Sequence, residues 1–150
     1  MAMTEDRRCV VDTNVLIYST VTGNPWYDEA RNWLAGLHED GFDLCVTTQI
    51  LREYLVVLTR ASVFETSFTV DQAIQELEAI LPSLTVFGES DRSAALLRNL
   101  ISRYDVRGKQ IHDANIVAAM ITEGVDALVT YNPGDFKRYS EVHLQPAPLA

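Results

Sequence analysis

Four carboxylates in this 150-residue chain occupy places where an acid is either costly or offered to a ligand. Asp12 follows directly on the apolar, β-branched run Cys9-Val10-Val11, which reads as a strand delivering an acid to the top of a sheet. In open α/β sheets the crevice beyond the strand C-termini is where ligands bind. Glu53 falls in mid-helix on a face shared with Ile50 and Val57, and a carboxylate so placed must be paired, protonated or bound to a cation, because burying it bare costs several kcal/mol. Asp113 begins the buried face of a helix carrying Ile116, Val117, Met120 and Ile121, and Asp135 ends a Pro-Gly turn just past another strand. Taken singly, each acid has a local explanation: Asp12 as a helix cap, Asp113 as a first-turn acid, Glu53 as the partner of a core arginine, Asp135 as a turn residue. Gathered at one crevice they would raise one another's pKa unless something positive sat between them, and no lysine or arginine occupies a matching strand-end position. A divalent cation is the natural partner. All-oxygen ligands, with no cysteine and only His112 nearby, favour Mg²⁺ or Mn²⁺ over zinc. Such cations, held by two or three carboxylates with open water positions, are the usual apparatus for hydrolysing phosphate esters.

The elements that must position these acids alternate. After the first strand, residues 13–20 read as a short helix, and Gly23-Asn24-Pro25 supplies a turn, an N-cap and a first-turn proline for a second. That helix carries Trp26, Ala30, Trp33, Leu34 and Leu37 as its core stripe and stops at Gly41. Residues 43–47 form a second strand, and Thr47 or Thr48 caps a helix over 49–60 whose apolar residues run nearly all round, which predicts packing on more than one side. A connector over 61–68 leads to the capping box Thr69/Gln72 and a helix to about residue 81, ended by Pro82. A strand over 84–87 follows. Ser90 caps a helix with Ala94, Leu97, Leu100 and Ile101 inward; a basic loop around Gly108 precedes the helix 110–121, and Gly124 closes it. Residues 127–130 are a further strand and 142–144 an edge strand. The alternation predicts an α/β fold in one domain over 1–150, a mostly parallel central sheet of four to five strands with helices on both faces, and flexible ends at 1–7 and 145–150. All four acids then fall near one edge of that sheet.

Composition narrows the function classes. An apolar content of 47% with 22% charged residues is ordinary for a globular domain. No apolar run approaches the roughly 20 residues that span a bilayer, and residues 1–8 are polar with no signal-peptide apolar region after them, so a cytoplasmic protein is expected. Cys9 and Cys45 lie in buried strands without metal-ligand spacing and read as reduced core residues. A formal charge of −9 argues against a large nucleic-acid footprint and fits a cation site, although Arg103, Arg107, Lys109, Lys137 and Arg138 cluster near two of the acids.

Val11-Asp12-Thr13-Asn14-Val15-Leu16, the helical Glu53, His112-Asp113-Ala114, and Thr130-Tyr131-Asn132-Pro133-Gly134-Asp135-Phe136 resemble, in order and spacing, the four motifs of the PIN domain. The resemblance covers essentially the whole chain, and its size and motif style are similar to the VapC toxins of toxin–antitoxin pairs. It implies a divalent-metal-dependent endoribonuclease, using Mg²⁺ or Mn²⁺ to hydrolyse phosphodiester bonds in single-stranded segments of structured RNA. Asp12, Glu53, Asp113 and Asp135 would form the catalytic, metal-binding site, with Asp12 and Asp113 nearest the metal and Glu53 and Asp135 acting through coordinated water. Asn14, Thr130 and Asn132 would support them. The resemblance also implies a homodimer and a cognate small antitoxin able to push a basic side chain into the acidic site.

Arg107, Lys109, Lys137 and Arg138 are candidates for an RNA-contacting rim, against the alternative of solvated surface charges. His112 reads as structural, and Trp26 and Trp33 as core or interface residues rather than base-stacking platforms. Two other readings compete. A PIN-like scaffold would bind RNA or a partner protein without cleavage. A Mg²⁺-dependent phosphatase of the haloacid-dehalogenase type would need a second aspartate two residues after Asp12, where this chain has Asn14.

Overall fold

The computed structural model describes residues 7–147. Its strands are β1 (Arg8–Val11), β2 (Asp43–Thr47), β3 (Thr85–Phe87), β4 (Ala127–Val129) and β5 (His143–Leu144). Six helices join them: α1 (Thr13–Thr20), α2 (Tyr27–Glu39), α3 (Thr48–Leu58), α4 (Val70–Ile80), α5 (Asp91–Tyr104) and α6 (Gln110–Glu123). The sheet order is β3-β2-β1-β4-β5 and every pairing is parallel, so the expected α/β architecture is present and the sheet is wholly rather than mostly parallel.

Parallel strands covered on both faces carry near-continuous apolar runs. That is the reason for Cys-Val-Val in β1: Cys9, Val10 and Val11 are all fully buried, as are Cys45 and Val46 in β2 and Leu128 and Val129 in β4. Burial pushes the Cys9 thiol up to about 12, as expected of an inert core cysteine. From β1 the chain steps outward to β2 and then β3, crosses back through α5 and α6 to β4, and ends at β5. Right-handed crossovers put the outward helices α1–α4 on one face and the returning pair α5 and α6 on the other. α1 accordingly packs on α2 and α3, while α5 packs on α6. The direction reverses between β1 and β4, and the crevice of an open α/β sheet lies at such a reversal.

Local chemistry sets the helix boundaries. The Thr47 hydroxyl accepts from Ile50 N at 3.1 Å to start α3; Thr69/Gln72 and Ser90/Ser93 form reciprocal capping boxes for α4 and α5; Gly124, at φ +73°, closes α6 in the left-handed conformation. Elsewhere the elements differ from expectation for physical reasons. Asn24 does not cap α2. Its Oδ1 accepts from Trp26 N and its amide donates to the carbonyls of Tyr18 and Val21, so it closes the preceding turn and the helix begins at Tyr27. Trp26 is consequently 40% exposed and outside the core stripe. In α5, the capping box turns Ser93 inward and leaves Ala94 exposed. α3 does pack against both α1 and α4, yet its buried stripe is Ile50, Tyr54 and Leu58, and Val56 points outward.

At the ends, Arg7 O accepts from Asp43 N and Gln145 N donates to Leu128 O, continuing the parallel ladder by one residue on each side. Of the expected flexible ends, 1–6 and 148–150 lie outside the described residues. No described helix is long and apolar enough to cross a membrane. The division of α3 into inner and outer faces is testable: Ile50→Ala, at a fully buried position, should lower the unfolding free energy by about 2–5 kcal/mol, and Val56→Ala, 54% exposed, should change it by less than about 0.5 kcal/mol in urea titrations.

Candidate active site

Asp12 stands at the reversal point. Its amide donates to Val129 O at 3.0 Å, extending the pairing of β1 with β4, and its side chain then caps α1, with Oδ1 accepting from Thr13 N at 2.8 Å. The cap explanation is therefore correct, and it is not the whole role. Oδ2 accepts from the Thr130 hydroxyl at 2.7 Å and from the Asn14 amide at 3.4 Å. Asn14 spans the crevice, its Oδ1 accepting from Tyr131 N at 3.1 Å, and Thr130 Oγ1 in turn accepts from Asn132 N at 3.0 Å. A side chain at position 14 that both donates and accepts is what this web requires. An aspartate there would set a second carboxylate against Asp12.

Glu53 comes in from α3. No ion pair with an arginine is seen for it among the described residues; Thr13 Oγ1 donates to Oε2 at 3.0 Å and Gln49 Nε2 to Oε1 at 2.8 Å. Gln49 also donates to His112 O at 2.9 Å and accepts from the Asn115 amide at 2.6 Å, tying α3 to the first turn of α6, where Asp113 lies. Asp135 ends the 3₁₀ turn Pro133–Asp135, anchored by the buried Phe136, and is itself exposed. Asp12, Glu53, Asp113 and Asp135 line one cavity of about 470 Å³ together with Thr13, Asn14 and Asn132. The four acids picked out from sequence are thus brought together.

Their electrostatics follow from that gathering. Burial raises the pKa of Asp113 to about 7, with Asp12, Asp135 and Glu53 adding to the rise and Arg138 opposing it. Burial likewise raises Asp12, against the hydrogen bonds from Thr130 and Thr13 that favour its ionised form, while Glu53 and Asp135 push it further up. Carboxylates that resist ionisation because they are buried and, secondarily, because they face one another are what a bound cation relieves. The donor set is all oxygen, which suits a hard ion. Among the described residues no three Asp, Glu, His or Cys side chains form a ready-made metal cage. Mg²⁺ does not require one, being held through one or two carboxylates while it retains waters.

The basic residues are placed differently. Arg107 is taken up by Asp105 at 3.0 Å on the surface, Arg138 donates to Gln110 Oε1 at 2.8 Å, and none of Arg107, Lys109, Lys137 or Arg138 is among the described residues lining the cavity. His112 is exposed and enters the network through its backbone carbonyl. Sequence reasoning missed Thr13, Gln49, Asn115 and Arg60. Gln49 had a signal, lying one helical turn before Glu53 on the same face, and Thr13 adjoins Asp12. Asn115 and Arg60 had none.

Fold and site together define an α/β domain with an acidic crevice at the reversal point of a parallel sheet. The PIN domain family model matches residues 9–142, and the chain belongs to that family. No curated protein matches it in sequence. Solved structures share its fold. VapBC2 from Rickettsia felis, bound to a DNA fragment from its promoter, aligns with a TM-score of 0.72 at 20% identity, over 92% of this chain and 97% of that one. FitAcB from Neisseria gonorrhoeae aligns with a TM-score of 0.67 at 15% identity, over 93% and 97%. Mycobacterium tuberculosis VapC20, a toxin that cleaves the sarcin-ricin loop, aligns with a TM-score of 0.61 at 18% identity, over 80% and 86%.

The raised acids give a pH signature. A carboxyl group whose folded pKa lies above its unfolded value contributes stability that is fully present below the unfolded pKa, here 3.8, and is lost as the pH rises through the folded pKa, here about 7 for Asp113. In chelator, the Tm difference between Asp113→Asn and the unsubstituted protein should therefore move in favour of the variant between pH 4 and 8. A difference that stays flat over that range in calorimetry would contradict the raised pKa.

Proposed function

We propose that this chain is a divalent-metal-dependent endoribonuclease and the toxin member of a toxin–antitoxin pair. The observation that carries the reading is the convergence of Asp12, Glu53, Asp113 and Asp135 on one cavity at the β1/β4 reversal, where burial and mutual repulsion raise Asp12 and Asp113. Asp12 and Asp113 would hold Mg²⁺ or Mn²⁺, with Glu53 and Asp135 beside them. When bound, the ion supplies charge neutralisation at the phosphoryl oxygens and a more acidic water. The chain's own residues do the positioning. Thr130, Asn14 and the Thr13 amide hold the Asp12 carboxylate in one orientation, and Thr13 and Gln49 each take one lone pair of Glu53, leaving further lone pairs to orient a water for in-line attack. Family membership supports phosphodiester hydrolysis, and the sarcin-ricin-loop activity of VapC20 supports RNA as its substrate. An antitoxin partner is supported by the solved VapBC complexes of the same fold, and the exposed Val56, Val70 and Ile74 of α3 and α4 offer apolar surface for the proposed homodimer. Asn14 in place of an aspartate argues against the phosphatase alternative.

Asp12→Asn keeps an oxygen to accept from Thr13 N, so the α1 cap survives while the charge is lost. It should abolish Mg²⁺- or Mn²⁺-stimulated cleavage of structured RNA with Tm unchanged or raised, and EDTA should do the same to the unsubstituted protein. Thr130→Val, which removes the hydroxyl that donates to Asp12 Oδ2 and accepts from Asn132 N, should lower activity by roughly 10–100-fold. Cleavage that persists in EDTA or in Asp12→Asn, measured on antitoxin-free protein, would refute the metal-dependent reading, and no cleavage by the metal-loaded protein would leave the binding scaffold as the better one.

A further inference from the structure

The cavity that holds the acids has a second half of opposite character. Tyr18, Val57, Arg60, Ser62, Val63 and Phe64 line it, and Arg60 is the one lysine or arginine among the described lining residues. Phe64 stands at the tip of a two-residue turn, closed by Val63 N to Thr66 O at 2.8 Å and Thr66 N to Val63 O at 2.9 Å. Both central residues have positive φ, +48° at Phe64 and +63° at Glu65. Asn-Gly is the usual pair for such a turn, because a bulky side chain is strained in the left-handed region. Strain of that kind points to function when the surrounding structure holds it in place. What the strain achieves here is presentation. The Phe64 ring is 40% exposed and is set edge-on against Tyr18, with centroids 5.7 Å apart, and Tyr18 is itself stacked on Trp26 at 4.8 Å. The rings support one another, so the exposed face is buttressed and lines the same cavity as the four acids. Trp26, expected from sequence in the core or an interface, is outside the core and belongs to this cluster.

We propose that Phe64, braced by Tyr18, is a stacking platform for an unpaired base next to the scissile phosphate, with Arg60 on the neighbouring phosphate, making this half of the cavity a single-stranded RNA subsite. The proposal rests on the nuclease reading above and gives its substrate a place to bind. Base–aromatic stacking accepts any base and demands that the base be unstacked, which selects single-stranded segments without reading their sequence. A cation beside the rings suits a phosphate and disfavours a basic peptide segment at the same spot. The cavity volume of about 470 Å³ lies within the roughly 300–1,000 Å³ of sites that enclose a nucleotide-sized ligand.

The test uses the purified full chain and short single-stranded oligoribonucleotides carrying 2-aminopurine, whose fluorescence is quenched on stacking, with binding and steady-state cleavage measured side by side. Phe64→Asn keeps a residue that tolerates positive φ while removing the ring, and Phe64→Trp keeps a ring. The first should weaken binding and raise KM by about 5- to 150-fold with kcat little changed and the quench lost, and the second should retain both. Arg60→Gln should weaken binding and reduce the slope of log affinity against log salt by about 0.7. Quenching that depends on Phe64 in a protein that does not cut RNA would keep the subsite and overturn the nuclease reading. Cleavage with an unchanged KM in Phe64→Asn would do the reverse. The subsite also falls if both Phe64 variants lose affinity equally, if Phe64→Asn leaves RNA binding intact while loosening a co-purifying antitoxin, or if the unsubstituted protein shows neither quench nor cleavage.

Discussion

A carboxylate only 8% exposed, at the point where a parallel sheet reverses direction, constrains everything around it. Left without donors, Asp12 would cost several kcal/mol, and the chain meets this with hydrogen bonds from separate segments: the Thr13 amide at the start of α1, and the Thr130 hydroxyl just past β4. Those bonds draw the β4 loop against β1. Asn14 then fixes the loop from the other side through Tyr131 N. The crevice is therefore braced by its own polar contacts and does not depend on apolar packing alone. The same bonds favour the ionised form of Asp12 while its burial opposes it, and a cation at the crevice would settle that conflict.

Glu53 and Asp113 reach the crevice from helices on opposite faces of the sheet, and Gln49 is the part that relates them. A single side-chain amide donates to Glu53 and to the carbonyl of His112, next to Asp113, and accepts from Asn115, so α3 and the first turn of α6 are held together by one polar node. Gathering the acids around a cavity without closing them into a cage has a chemical consequence. A hydrated hard ion keeps waters and open positions in such a setting, as hydrolysis needs, and a fully enclosed ion would not.

An acidic chain proposed to act on a polyanion has to deal with its own field. The net charge of −9 is spread over the surface, and part of the positive charge near the site is already engaged: Arg107 by Asp105, and Arg103 by Glu141 at 3.7 Å. The cavity separates the problem in two. Its acidic half would be neutralised by the proposed cation, and its other half offers aromatic faces and Arg60. Stacking is short-ranged and indifferent to net charge, so it can hold a base where bulk electrostatics would repel the backbone.

The amino-acid sequence by itself determined the elements and the identity of the four acids. Parallel strands buried on both faces leave unbroken apolar runs, caps and capping boxes act within three or four residues, and an acid at the end of such a run has a fixed address. The strand before Asp12, the Thr69 box, the Gly124 stop and the helix that carries Asp113 are all local in this sense. Contacts between distant positions were out of its reach. Thr13 meets Glu53 across 40 residues, Gln49 meets Asn115 across 66, and Thr130 meets Asp12 across 118. The orientation of helix faces failed for a different reason at Ser93 and Trp26, where a local side-chain bond outweighed apolar periodicity by a residue or two. At Phe64 even the local signal was absent, because the turn lacks the Asn-Gly that announces it, and the surrounding packing alone holds that ring beside the acids.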